Sequence, residues 1–470
     1  MTEQPTAYDT VVYPAWIYPE TEPSRLAAIS RLHGLAAPDP ATARVLEVAG
    51  GDGLNVIAMA AAWPQAQFRS FDLAPTAVAR GAALAAAAGL DNVRVEVADL
   101  HEAADSLEGP FDYIIIHGLY AWVPEPVRAA TLRLIGRVLA PEGVAFLSYN
   151  AKPGCHLRQA VREMLLHHVE GVTDPEERIT RAYALLKDFV PAREGDSPAV
   201  AALKSTAAPI LQRLPGTLFH DEMGEVFAPQ SLTEVTEAAA AHGLAFLNDA
   251  APGLLFDGLP GLDVAEGEVV RLAQADDYRV MTFFHQTLLV RQGRKPRRGL
   301  AEGCLDGLWL VSQAQDKGGG VFAAKEQELE IEDPALREFL AEATRRAPER
   351  VPLAEFATTL ERCQALVELH CGGFVLLHAT PAPFALAAGE RPRASALARA
   401  QIDNGTVALI TLDLRGVAFG DPGPRTFLGL LDGTRDRAAL ERDWVASGYG
   451  DEVPVGPALE QLARSALLIG

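Results

Sequence analysis

An α/β fold is predicted: a parallel sheet with helices on both faces, interrupted by a helical insertion and followed by α+β modules. Three observations predict it. Short β-rich runs alternate with Ala-rich helical stretches through the first third of the chain, the rhythm of consecutive βαβ units. That rhythm stops after Tyr149, and residues 157–214 read as almost all helix. The 470 residues exceed one domain of ~100–200 residues, and 49% hydrophobic with 22% charged residues is the balance of a chain that buries sizeable cores.

In order along the chain, strands are expected at 44–48, 67–71, 93–97, 111–116 and 144–149, with helices at 56–63, 76–88 and 127–139, each ending near Pro or Gly. Within the helical block, Asp174-Pro175-Glu176-Glu177 offers an N-cap, a Pro at the first helical position and an early acid, then Ile179, Ala182, Tyr183 and Leu186 follow at helical spacing. A helix at 231–242 and strands at 244–248 and 286–290 complete the same sheet, which makes the helical block an insertion. The basic run Arg291 to Arg298 reads as a solvated hinge. Beyond it, helices are expected at 334–346, 354–366 and 437–446 and strands at 374–378 and 410–414, the first of these as the wing of a small helical domain. The Pro- and Ala-rich stretch 380–392 reads as a second linker. The resulting units are 1–156, 157–220, 221–292, 299–382 and 390–470.

Composition narrows the function. Asp plus Glu number 62 against 41 Lys plus Arg, a formal net charge of −21, which opposes attraction to nucleic acid or an anionic membrane surface. Cys155, Cys304, Cys363 and Cys371 are too few and too scattered for a disulfide framework or a CxxC metal site. Reduced thiols and a cytoplasmic location are expected, with no leader and no membrane span. No HExxH, GxxxxGK[ST] or GxSxG pattern is present, so neither a metal, a P-loop nor a serine elbow is expected.

The chemistry gathers at strand ends. Val45-Leu46-Glu47-Val48-Ala49-Gly50-Gly51-Asp52-Gly53-Leu54-Asn55 is a strand running through a Gly-rich turn into a helix, where glycines let a ligand approach backbone and the helix start offers free N–H groups. Val56 stands where a dinucleotide fingerprint needs a third glycine, and Asp52 suits a ligand carrying positive charge rather than a pyrophosphate. Asp72, followed by Leu73, lies about 20 residues beyond the turn, the interval of an acid that accepts ribose hydroxyls. Asp99 could accept from an adenine amino group while Leu100 packs on the ring; taken separately, either Asp could simply cap the next helix. His117, at the end of the fourth strand, could take a proton, and Tyr120 and Trp122 could line an acceptor pocket or hold a cation on their faces. The same three could equally be packing. Tyr149, at the end of the fifth strand, is a further pocket candidate, and His220-Asp221-Glu222 is either a base with its orienting partners or a surface cap.

Together these residues resemble a class I S-adenosylmethionine methyltransferase with a Rossmann-like sheet. The opening Tyr8-Asp9-Thr10-Val11-Val12-Tyr13-Pro14, GDGLN, HGLYAWVP, SYNAKPGCHLR, HDEMGEVFAP, GLAFL, QTLLV and LLDGTRDRAAL are similar to bacterial methyltransferases that carry a methyltransferase regulatory domain, among them rickettsial lysine methyltransferases acting on an outer-membrane protein. The resemblance implies S-adenosyl-L-methionine as donor and S-adenosyl-L-homocysteine as product. It implies that Glu47, Gly50, Gly51, Asp52, Gly53 and Asn55 cradle the methionine part, Asp72 and Leu73 the ribose side, and Asp99 with Leu100 the adenine. Tyr8 and Tyr13 would belong to a flap over the donor, and the helical insertion would serve a homodimer. Where the family turn is usually Leu-Gly-Cys-Gly, this chain has Val48-Ala49-Gly50-Gly51.

The Asp/Asn-Pro-Pro-Tyr segment that serves delocalised nitrogens is replaced by His117-Gly118-Leu119-Tyr120, so an aliphatic amine is the expected acceptor, first of all lysine in a protein. A peptide or small natural product as acceptor, and a cofactor-binding regulatory or scaffold protein without turnover, are the alternatives.

Overall fold

The computed structural model describes residues 10–250, 266–450 and 453–469. Its centre is a seven-stranded sheet in the order β3-β2-β1-β4-β5-β7-β6, formed by β1 (Arg44–Val48), β2 (Gln67–Asp72), β3 (Val93–Val97), β4 (Phe111–Ile116), β5 (Leu139–Asn150), β6 (Leu244–Asp249) and β7 (Phe284–Arg291). β1 to β5 pair in parallel, and β7 runs antiparallel between β5 and β6. The near-continuous apolar runs of β1 and β4 follow from this position: Val45, Leu46, Ile114 and Ile115 are fully buried because helices cover both faces. The order reverses between β1 and β4, so the carboxyl ends of β1, β2 and β3 face one crevice beside the end of β4.

Helices Leu54–Ala62, Pro75–Ala87 and Glu125–Val138 are the expected crossovers. Gly81 lets the second of these press onto the turn after β1: a side chain there would overlap the Asp52 carbonyl. The insertion comprises Cys155–His168, Pro175–Phe189 and Pro198–Leu211 and encloses its own apolar cluster with Val161, Leu165, Leu186, Ile210 and Leu218. Asp174 caps its helix by accepting from Glu177 N–H at 2.8 Å, and Ala182 and Leu186 on the predicted face are fully buried. No helix among the described residues is long and apolar enough to cross a membrane.

The carboxyl-terminal third differs from expectation in four places. The helix expected at 354–366 is Leu360–Cys371, because Thr359 caps it through Arg362 N–H while Ala357 N–H folds back on Leu353 O. The strand expected at 410–414 ends at Ile410, where a turn returns the chain to Gly416–Ala418 as a hairpin and Leu414 takes φ +60°. The basic run is no solvated hinge. Arg298 is buried and donates to Phe246 O at 2.7 Å and to Leu247 O, Arg294 donates to Glu142 O at 3.0 Å, and Arg297 N–H bonds His33 O at 2.8 Å. Guanidinium groups satisfy several carbonyls at once, so a basic run can weld two units as readily as separate them. The stretch 380–392 has no regular structure, yet Phe384 is buried and Ala385 N–H bonds Leu468 O, so it too is packed down.

Val375–His378 is the third strand of a small antiparallel sheet with Trp309–Ser312 and Val351–Pro352. This sheet shares one core with the large one: Leu26, Val45, Leu310, Leu377 and Ile410 belong to a single apolar cluster.

A buried triad closes the far edge of the sheet. His285 on β7 lies 3.0 Å from both Asp249 and Asp277. Burial works to lower its pKa, but the two carboxylates outweigh burial and raise it to about 9. A histidine raised above its ordinary 6.5 stabilises the fold fully below that value, and the contribution is lost as pH rises through about 9. Stability to urea is therefore expected to fall by about 3 kcal/mol between pH 6.5 and 10, and His285→Gln is expected to remove most of that slope.

Candidate functional site

The turn after β1 owes its shape to backbone that only small residues tolerate. Ala49, Gly51 and Gly53 have φ of +55°, +61° and +69°. A side chain on Gly50 would overlap the Ser70 hydroxyl and the Glu47 carboxylate, whereas the place of a side chain on Gly51 has nothing within 4 Å. The turn thus presents open backbone to the crevice. Asp52 accepts from Leu54 N–H at 3.1 Å and starts the following helix.

Under the turn, Glu47 is buried and accepts from Asn55 Nδ2 at 2.8 Å and from Ser70 Oγ at 3.2 Å. Burial raises its pKa to about 7, the two hydrogen bonds oppose that, and Asp52 and Asp72 add to it. A carboxylate so placed, between neutral donors and other acids, is relieved by a positively charged ligand.

Asp72 ends β2. Its Oδ2 accepts from Gly51 N–H at 2.8 Å and its Oδ1 from Ala74 N–H at 2.9 Å, so it buttresses the turn and keeps lone pairs for a ligand's hydroxyls. Beside it, Leu73 is 58% exposed, an apolar side chain left on the crevice wall. β3 brings Asp99 alongside, since Asp72 pairs with Val97 in register. Asp99 caps the helix Leu100–Ser106 by accepting from His101 N–H at 2.6 Å, and Leu100 is half-buried against the core. Capping uses one carboxylate oxygen, so the two readings of Asp99 are compatible.

A strap that sequence reasoning left out closes this crevice. Tyr18 N–H bonds Asn55 Oδ1 at 2.9 Å, and Thr21 Oγ accepts from Asn55 Nδ2 at 3.1 Å. The Tyr18 ring stacks on His117 at 3.6 Å between centroids, with Phe284 6.1 Å from His117. Burial lowers the His117 pKa to about 4. At neutral pH His117 is therefore uncharged. Glu20 lies 3.8 Å from His117 Nε2 and accepts from Gln286 Nε2 at 3.0 Å. The signal for the strap was slight: Pro19 and Pro23 punctuate Tyr18-Pro19-Glu20-Thr21-Glu22-Pro23, a pattern equally at home in any loop.

Other predicted residues lie elsewhere. Tyr149 is sealed, 1% exposed with its hydroxyl 3.0 Å from Thr287 Oγ, so it supports β7 and cannot touch a substrate. Tyr120 is buried with its ring 6.1 Å from that of Tyr149, a packing position. Trp122 does not offer its faces to a ligand cation: Phe227 lies 4.9 Å away, and the Arg158 and Arg162 guanidinium groups stand over the ring at 5.1 and 5.5 Å.

His220 is no surface cap. It is buried in a π-turn, Leu218–Glu222, and its Nε2 lies 2.7 Å from Val11 O. Asp221 and Glu222 do not orient it as a base but hold Arg158 and Arg213. Tyr13 donates to Asp221 Oδ1 at 3.3 Å, tying the amino-terminal segment to the insertion. Tyr8 lies outside the described residues.

With this geometry in view, comparison with known proteins is direct. A methyltransferase domain model matches residues 45–143, the stretch that holds β1 to β4 and the crevice. The uncharacterized protein RP789 of Rickettsia prowazekii (strain Madrid E) is 30% identical over 299 residues, 62% of this chain and 54% of that protein. RP028 of the same organism is 31% identical over 221 residues, 47% of this chain and 88% of that protein. The chain thus spans about half the length of the first relative and most of the second. The structure of PKMT2 from Rickettsia typhi in complex with AdoHcy superposes with a TM-score of 0.78 at 21% identity, covering 97% of this chain and 100% of that one; the likeness establishes a common fold.

Proposed function

We propose that this chain, which belongs to the class I S-adenosylmethionine-dependent methyltransferases, transfers the donor's methyl group to an aliphatic amine, lysine in a protein. The observation that carries the reading is the crevice itself. An open Gly51 turn over buried Glu47, with Asp72, exposed Leu73 and Asp99 on the next two strand ends, offers a carboxylate for a charged amino-acid part, an acceptor for hydroxyls and an apolar wall for a base. S-adenosylmethionine fits those three demands, and AdoHcy is what PKMT2 carries.

When bound, the donor supplies a methyl group activated by a sulfonium. The protein's share is alignment and desolvation. Glu47 and Asp52 favour positive charge near the turn, Asp72 fixes the donor's register, and the strap from Tyr18 to Thr21 excludes water above it. Neutral His117 and the Tyr18 ring form a weakly polar wall along the acceptor's approach. The resemblance to rickettsial lysine methyltransferases and the acidic surface both favour a basic protein acceptor, with the insertion as the face of a homodimer.

Incubation of the purified protein with methyl-labelled S-adenosylmethionine and desalted host lysate, alongside the small-molecule fraction, tests this. Label in protein, mapped to lysine by mass spectrometry, is expected. Label confined to small molecules would replace protein by a natural-product amine as acceptor, and donor binding without transfer to either would favour a regulatory role.

A further inference from the structure

We propose that Glu20 is the carboxylate that receives the acceptor's ammonium, in a subsite walled by the Tyr18–His117 stack and Phe284; the inference rests on the amine reading above. Glu20 sits in the single turn Pro19–Thr21, and that turn is pinned to the donor site at both ends, by Tyr18 N–H on Asn55 and by Asn55 on Thr21 Oγ. Its carboxylate is thereby held at a fixed place relative to the Gly51 turn.

The groups that directly bond or approach the Glu20 carboxylate carry no charge. Gln286 donates to Oε1 at 3.0 Å, and the His117 ring nitrogen 3.8 Å away belongs to an uncharged imidazole. No lysine or arginine among the described residues forms an ion pair with it; the nearby Arg25 is only partly buried and is shared between Glu20 and Glu22. The Glu20 side chain is 24% exposed, enough for a ligand to reach it. An acid in a weakly polar setting binds an organic cation through charge-assisted hydrogen bonds. Gln286 leaves the second oxygen available for that purpose.

This placement gives Glu20 a part in the transfer. The bound ammonium cannot react until it loses a proton. That proton leaves to solvent on the exposed side of Glu20. The freed nitrogen lone pair then forms the new N–C bond, while the S–C bond breaks and its electron pair stays on sulfur.

The test compares n-butylammonium with n-butanol as ligands of the full-length protein loaded with S-adenosylhomocysteine, by ligand-observed NMR, in the parent, Glu20→Gln and Glu20→Asp. The parent is expected to prefer the ammonium roughly tenfold or more. Glu20→Gln is expected to lose the preference and Glu20→Asp to keep part of it, with S-adenosylhomocysteine affinity unchanged in all three as the check on folding. A parent without preference, or a preference that survives in Glu20→Gln, overturns the assignment. Methylation of poly-L-lysine separates the two proposals. If Glu20→Gln matches the parent's kcat and KM there, the amine reading stands and Glu20 falls; if the parent prefers the ammonium yet methylates no amine, the subsite stands and the activity falls.

Discussion

Asp72→Ala is expected to lower affinity for S-adenosylhomocysteine by roughly a hundredfold or more, because a carboxylate accepting from two vicinal hydroxyls contributes about 1.5–3 kcal/mol per charged hydrogen bond. The loss has a second source in this chain. Asp72 also accepts from Gly51 N–H at 2.8 Å and Ala74 N–H at 2.9 Å, so its removal frees the turn that contacts the donor. Asp72→Asn separates these effects: its amide oxygen can keep one backbone hydrogen bond while the charge is gone, and an intermediate affinity is expected. His117→Ala removes the surface under Tyr18 without touching Asp72, so donor affinity is expected to stay within a fewfold while transfer slows. Titration calorimetry on the three variants reads the affinities and label transfer from methyl-labelled S-adenosylmethionine reads the rate, and an Asp72→Ala protein that binds as the parent does would remove the cofactor assignment.

The contrast between Asp72 and Tyr149 shows which features of the site were legible in the sequence. The turn, Asp72 and Asp99 are local: each follows a strand whose apolar run marks its end, and strand ends in a parallel sheet converge by topology alone. Tyr149 and Trp122 also follow strands, but whether an aromatic faces a crevice or a neighbour is decided by partners distant in sequence, here Thr287 for one and Arg158, Arg162 and Phe227 for the other. The strap was invisible for the same reason. Nothing in residues 18–22 shows periodicity, and their role comes from Asn55, His117 and Gln286, three separate parts of the chain. The basic run at 291–298 misled because composition records charge and not the carbonyls that lie within reach of it.

Glu22→Leu is expected to cost about 3–5 kcal/mol, the price of leaving a buried cation without its partner. Arg350 donates through Nη2 to both Glu22 oxygens, at 2.8 and 3.1 Å, and their side chains are 3% and 7% exposed. Arg25 lies half-buried close by, its pKa lowered by desolvation and partly restored by Glu20 and Glu22. Without Glu22, two guanidinium groups face each other in the core. The pair joins the carboxyl-terminal module to the residue next to Thr21, and Thr21 holds Asn55 at 3.1 Å. Damage at this distance should therefore reach the donor site: S-adenosylhomocysteine affinity is expected to fall severalfold in Glu22→Leu although Glu22 lies outside the crevice. The pair Glu22→Leu with Arg350→Met tests the electrostatic account. Replacing both partners by apolar residues removes the unpaired charge, so the double variant is expected to regain most of the lost stability in urea and, with the strap again seated, most of the donor affinity. If the double variant is as unstable as Glu22→Leu alone, the cost lies in packing and not in the orphaned charge.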